Sequence, residues 1–150
     1  MLRRTLLAVL LLAANAAWAD TVAVIGTGNV GMALGTEFSG LGHTVIYGSR
    51  TPDAEKTQAL VAKTKNASAA SPPAAAAAAD VVVLATPGMV TERVVKGLGD
   101  LSGKIIIDVT NPLIFEGNPP VVTYGTERSL GEIVQEVHPE AHVVKAFNTI

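Results

Sequence analysis

Thr21-Val22-Ala23-Val24-Ile25-Gly26-Thr27-Gly28-Asn29-Val30-Gly31 decides how this chain folds. An apolar run suited to a buried strand leads into a G-x-G-x-x-G turn, and the segment after it reads as a helix. In that strand–turn–helix context the pattern means dinucleotide binding. The first glycine permits the tight turn, and the second lets the backbone approach a pyrophosphate. The third lets the helix pack close to the strand, with the helix N-terminus facing the phosphates. The next strand-like run, Thr44-Val45-Ile46-Tyr47, ends in Gly48-Ser49-Arg50. That is roughly 20 residues past the glycines, where an acidic residue for the ribose hydroxyls of NAD usually stands. A carboxylate would repel a 2′-phosphate, whereas a serine hydroxyl and an arginine fork bind one. The pair therefore reads as selecting NADP over NAD.

Strand-like and helix-like segments alternate along the rest of the chain. Strands are expected at about 21–26, 44–48, 67–68, 81–85, 104–109 and 141–146. Helices are expected at about 29–41, from Thr51-Pro52 to about 65, over the alanine run Ala74 to Ala79 behind a Ser71-Pro72-Pro73 cap, at about 88–99, and over 129–137. A loop carrying Pro112, Pro119 and Pro120 separates the last two strands. Such alternation implies right-handed crossovers and a parallel sheet covered on both faces. Six strands match a doubly wound α/β fold of the Rossmann type, three layers deep, with ligand at the carboxyl ends of the strands. Thr86-Pro87, Thr110-Asn111-Pro112 and Phe147-Asn148-Thr149 each follow a strand, on the same edge as the glycine loop.

The first residues carry a different signal. Arg3-Arg4, the apolar stretch Leu6 to Ala17 and the small-x-small triplet Ala17-Trp18-Ala19 form the tripartite pattern of a secretory signal peptide. Cleavage would leave Asp20 at the mature N-terminus. The stretch is short of the about 20 residues of a comfortable bilayer span. Residues 1–19 are thus expected to be a leader and 20–150 one dinucleotide-binding domain, exported to the periplasm or outside the cell. An uncleaved anchor or a mis-called start codon are the alternatives, the latter leaving the chain cytoplasmic. Arg3-Arg4-Thr5-Leu6-Leu7 has the twin arginine of the folded-export route, but the leucine-rich core is more like the general one.

Composition excludes several functions. The 150-residue chain carries 11 basic and 13 acidic residues, net −2, and loss of Arg3 and Arg4 takes it to −4. It has no basic stripe and few aromatics, so nucleic-acid binding has no support. Without cysteine there is no disulfide, thiolate nucleophile or zinc–sulfur site. His43, His138 and His142 lack metal-ligand spacing and read as structural.

Several motifs together resemble the NADPH-dependent coenzyme F-420 reductases. They are Gly26-x-Gly28-Asn29-x-Gly31-x-x-Leu34-Gly35, Gly42-His43-x-Val45, Gly48-Ser49-Arg50, Ala79 to Ala85 with Pro87, Asn111-Pro112-Leu113, Glu127-Arg128-Ser129 and Val144 to Thr149. The module is also similar to the reductase domain of the STEAP metalloreductases and, more distantly, to pyrroline-5-carboxylate reductase. The resemblance runs from about Thr21 to the end of the chain. It implies that Gly26, Thr27, Gly28, Asn29, Val30 and Gly31 hold the pyrophosphate. By the same resemblance Ser49 and Arg50 hold the 2′-phosphate of NADP, and Lys56 adds charge there at a longer spacing than usual. Ala85 and Thr86 would flank the adenosine, and Asn111, Ala146, Phe147 and Asn148 would face the nicotinamide. The acceptor implied is coenzyme F-420 or a flavin. No residue stands out as a general acid or base and none as a metal ligand. Hydride transfer between two rings needs mainly their positioning.

Family members continue some tens of residues past the last strand, in a segment that helps form the acceptor site and the contact of a homodimer. Residues 20–150 are therefore expected to be the NADP-binding part without that segment. Three functions remain open: an NADP-dependent oxidoreductase of the F-420 reductase type, a non-catalytic NADP-binding module, and a metalloreductase-like electron donor.

Overall fold

Val22 and Val24 belong to one buried cluster and Ala23 and Ile25 to another, so the first strand is apolar on both faces. A strand of that kind belongs in the middle of a covered parallel sheet. The computed structural model, which describes residues 19–114, 121–122 and 128–148, puts it there. The order is β1 (Thr21–Ile25), α1 (Asn29–Gly40), β2 (Thr44–Gly48), α2 (Glu55–Lys63), β3 (Ala67–Ala70), α3 (Pro72–Ala78), β4 (Val81–Leu84), α4 (Gly88–Lys96), β5 (Ile105–Asp108), β6 (Leu113–Ile114), β7 (Val121–Val122), α5 (Leu130–Val137) and β8 (His142–Lys145). Six strands form one parallel sheet in the order β3-β2-β1-β4-β5-β8. This is the expected doubly wound arrangement, reversing direction at β1. Leucine and phenylalanine side chains of α1 and α2 cover the face of Val22, Val24 and Val83. The other face, with Ala23, Ile25 and Val82, is covered by α3, α4 and α5.

The alanine run has a packing role. Ala75 and Ala76 are fully buried, so α3 can lie close over the sheet. Lys104 reaches from the start of β5 to the carbonyls of Ala77 and Ala79 and closes the C-terminus of that helix.

Register sets the position of the site. Ile25 pairs with Gly48 and Leu84, Leu84 with Asp108, and Asp108 with Lys145. The strands therefore end level, and Gly26, Ser49, Ala85, Val109 and Ala146 form one rim.

Local chemistry moves some element boundaries. The second helix starts at Glu55 rather than at Thr51-Pro52. Side chains claim the backbone before it: Thr51 N–H donates to Ser49 Oγ at 3.2 Å, the Thr57 hydroxyl donates to the Thr51 carbonyl at 3.1 Å, and Gln58 Nε2 donates to the Pro52 carbonyl at 2.9 Å. Residues so held form a turn, not a helix. Ser71 occupies the N-cap of α3 without a side-chain hydrogen bond, so Pro72 and Pro73 in the first turn set that start. The third strand extends to Ala70. Within the region expected as a loop, β6 and β7 pair antiparallel as a two-stranded ribbon. Ser129 caps α5 in a reciprocal box with Glu132. Residues 1–18, which hold all but the last residue of the expected leader, and Pro119, Pro120, Glu127 and Thr149 lie outside the described residues. No helix among the described residues is long and apolar enough to cross a membrane.

Candidate dinucleotide site

The turn after β1 is built by contact as well as by conformation. Gly26 has φ +116°, and a Cβ there would lie 2.5 Å from the Ala85 carbonyl oxygen. Its N–H donates to the Gly48 carbonyl at 3.1 Å, which ties the loop to the end of β2. At Gly31 a Cβ would lie 2.0 Å from the Gly26 carbonyl oxygen and 3.3 Å from Val24 Cγ1, so only glycine lets α1 sit against the strand. Gly28 is the N-cap of α1, so the helix has no side-chain cap, and no acidic residue stands in its first turn. Its leading N–H groups thus remain available to an anion.

A cavity of about 680 Å³ opens over this turn. Gly26, Thr27, Gly28, Ser49, Arg50, Ala85 and Thr86 line it, with Pro87 of the Thr86-Pro87 strand end, and so do Thr51, Pro72, Val90, Arg93 and Val94, which the sequence does not single out for the site. Asn29, Val30 and Gly31 form the first turn of α1 beneath it. Lys56 is exposed near the start of α2, outside the wall. Asn111, Ala146, Phe147 and Asn148 lie on the same rim beyond β5 and β8, also outside the wall. The Asn111 carbonyl packs where a Cβ on Gly88 would stand, at 2.2 Å, so this residue helps seat the start of α4. Phe147 is left-handed, with φ +55°, and the residue is 66% exposed. An exposed bulky residue in that conformation marks a place where strain is retained.

Ser49 is 8% exposed, and its hydroxyl is already engaged. Its oxygen accepts from Thr51 N–H and lies 3.3 Å from Thr57 Oγ1. Thr57 gives its proton to the Thr51 carbonyl, so the proton between the two hydroxyls belongs to Ser49. A phosphate oxygen must compete for it. Arg50 and Thr51, both exposed at the cavity, carry no such commitment.

At the far side of the rim Asp108 is fully buried. Its carboxylate accepts from Thr110 N–H at 2.9 Å, from the Thr110 hydroxyl at 2.6 Å and from Lys145 Nζ at 2.9 Å. Lys145 also donates to the Thr110 carbonyl. The ion pair fastens the turns leading to Asn111 and Ala146 to each other. Spacing in the sequence does not reveal it, because the partners meet only through the β5–β8 register.

Two of the three histidines serve the fold. His138 Nε2 donates to the Val95 carbonyl at 2.9 Å, and His43 Nδ1 accepts from Asp20 N–H at 3.2 Å. No acid, histidine or cysteine cluster suited to a metal occurs among the described residues.

The fold and cavity define a dinucleotide-binding domain of the doubly wound α/β class. Residues 21–112 match the family described as NADP oxidoreductase, coenzyme F-420-dependent, and the chain belongs to that family. It is similar to a protein of Arthrobacter sp. FB24 described as an F-420-dependent NADP-reductase, with 34% identity and a TM-score of 0.81 over 88% of this chain and 64% of that one. The hypothetical protein SMa0349 of Sinorhizobium meliloti is 35% identical, with a TM-score of 0.67 over 87% of this chain and 62% of that one. The metalloreductase STEAP3 of Rattus norvegicus is 29% identical over 132 residues, 88% of this chain and 25% of that protein. The chain thus spans less than two thirds of each of these relatives.

Proposed function

We propose that this chain binds NADPH and delivers its hydride to a planar acceptor of the deazaflavin or flavin type. The observation that carries the reading is the cavity wall itself. It presents Ser49, Arg50 and Thr51 at the end of β2 and contains no carboxylate. A wall of that chemistry favours a 2′-phosphate, where an acidic residue would repel it.

The chain's residues have separable tasks. The Gly26–Gly31 turn and the first amides of α1 hold the pyrophosphate. Arg50 and the Thr51 hydroxyl take the 2′-phosphate first, and Ser49 adds to them by releasing Thr57. Lys56 contributes charge at longer range, and Ala85 and Thr86 border the adenosine. Asn111, Ala146, Phe147 and Asn148, on the rim held by the Asp108–Lys145 pair, orient the nicotinamide. NADPH supplies the hydride when bound, and no side chain has to move a proton to release it.

Titration of wild type and Arg50→Ala with NADPH and NADH tests the cofactor. NADPH should bind at least ~10-fold tighter, about 1.4 kcal/mol, and the variant should lose most of that gap while keeping its NADH affinity. Equal affinities in wild type would overturn the reading. Stopped-flow mixing with coenzyme F-420 or a flavin tests the acceptor, as does a search for flavin-dependent ferric reduction. The similarity to STEAP3 supports a metalloreductase-like donor as the second reading.

Export is part of the proposal. Asp20, the first residue expected after cleavage, already joins the fold, its carbonyl accepting from Thr44 N–H at 3.1 Å. Removal of residues 1–19 would leave that contact intact. Mass analysis of the protein from its source should give Asp20 as the first residue, and an intact Met1 would contradict processing.

A further inference from the structure

Arg93 is a cavity-lining cation with no task in the scheme above. It lies in the last turn of α4, with Val90 one turn earlier and Val94 beside it. At i, i+3 and i+4 these residues share one helix face, and all three line the cavity. Ser49-Arg50-Thr51 forms the wall beyond the glycine turn. Because the strand order there is β2-β1-β4, Arg50 and Arg93 approach from opposite sides of that turn. Two strand spacings separate the ends of β2 and β4, about 10 Å. That width takes a base against the Val90 and Val94 wall with the 2′-phosphate at the Arg50 wall.

Charge gives the second constraint. Among the described residues neither arginine has an ion-pair partner. The acid next to Arg93 is taken: Glu92 bonds Lys96 at 2.7 Å, and that bond holds its carboxyl below the usual carboxylate range. A chain of net charge −2 therefore faces two arginines and no acid into one cavity. The two cations repel unless an anion or a π-face lies between them.

We propose that Arg93 is a cofactor-binding residue whose guanidinium packs over the adenine ring, against the apolar wall of Val90 and Val94 and across from Arg50. The inference rests on the NADPH reading and extends it. A guanidinium is planar and weakly hydrated, and it stacks where an ammonium does not. Phosphate groups already have their donors in the glycine turn and at the end of β2, whereas the valines beside Arg93 suit a base. Adenine is common to NADPH and NADH. Arg93 therefore sets affinity for both, while Arg50 sets the choice between them.

Calorimetric titration of the full chain with NADPH and NADH separates these roles, using wild type, Arg93→Ala, Arg93→Lys and Arg50→Ala. Arg93→Ala should weaken both cofactors by the same factor, about 3- to 10-fold. Arg93→Lys, which keeps the charge and loses the plane, should retain most of that loss. Arg50→Ala should weaken NADPH alone. Position 93 is exposed on a helix, so the variants should melt with wild type. Unchanged affinities in Arg93→Ala, a loss confined to NADPH, or full rescue by lysine would each overturn the proposal. Failure of wild type to prefer NADPH, with Arg93→Ala still weakening both cofactors, would overturn the 2′-phosphate reading and leave the adenine contact standing.

Discussion

Lys145→Met should cost this domain a large share of its stability, because it strands a carboxylate where water cannot reach. Asp108 is 0% exposed and Lys145 31% exposed, with 2.9 Å between them. Removing the lysine leaves Asp108 with two donors, both from Thr110, and leaves the Thr110 carbonyl without its lysine. Breaking a fully buried pair costs 3–5 kcal/mol. The lysine end is wet, and the Thr110 bonds survive, so the cost should fall to about 2–3 kcal/mol. Asp108→Asn is the milder cut. The amide oxygen can still accept from Thr110, and the lysine left behind is partly exposed and keeps the Thr110 carbonyl. That change should cost about 1–2 kcal/mol. In the double variant neither charge is stranded, so its loss should fall short of the sum by about 1 kcal/mol or more. Urea unfolding of the four proteins measures the whole cycle, and an unchanged m-value would confirm that the change lies in stability. A strictly additive cycle, or a Lys145→Met cost under ~0.5 kcal/mol, would refute the view that this pair fastens the rim.

Gly31→Ala should destabilise by about 1–3 kcal/mol, since its Cβ would stand 2.0 Å from a backbone oxygen that cannot turn aside. NADPH affinity should fall with it, and wild-type melting and binding would show that α1 moves away freely. Phe147→Gly should melt at or above wild type, because glycine accepts φ +55° and the residue is 66% exposed. A clear drop in melting temperature would mean that the ring is packed. The carboxyl of Glu132 is held below its usual range, chiefly by the Ser129 N–H. A depressed folded-state value stabilises above the unfolded pKa of about 4.3 and is lost as pH falls through the folded value. Wild type should therefore out-melt Glu132→Gln at pH 7, and the two should converge in acid. A difference independent of pH would sink that account.

The parts legible in the sequence are those fixed by neighbours along the chain. Val22 to Ile25 and Val81 to Leu84 are apolar on both faces, and that alone demands a central parallel strand. Gly26 and Gly31 announce a turn and a close helix because each restriction acts within a few residues. The start of α2 is misread for the opposite reason. Thr57 and Gln58 reach six residues back to take the carbonyls of Thr51 and Pro52, and no propensity records that choice. Strands of two residues, like those of the β6–β7 ribbon, are too short to show a period.

Selectivity is harder to read, since it is assembled across β1 rather than along it. The helix α4 carries two inward stripes: Thr91 and Val95 are buried against the fold, while Val90 and Val94 border the cavity. Both have helical spacing, so periodicity cannot tell which one meets ligand. The sheet order decides, by bringing α4 and the β2 rim to opposite sides of one glycine turn. Ser49 shows the converse. Its place in the motif suggests a free phosphate donor, yet its proton already goes to Thr57. Motif position therefore ranks Ser49 above Thr51, while the hydrogen bonds reverse that order. The discriminating measurement is the loss of NADPH affinity relative to NADH in Thr51→Val and in Ser49→Ala. The threonine change should take the larger part of the preference. The serine change should act mainly on stability, since it removes the acceptor that holds the turn.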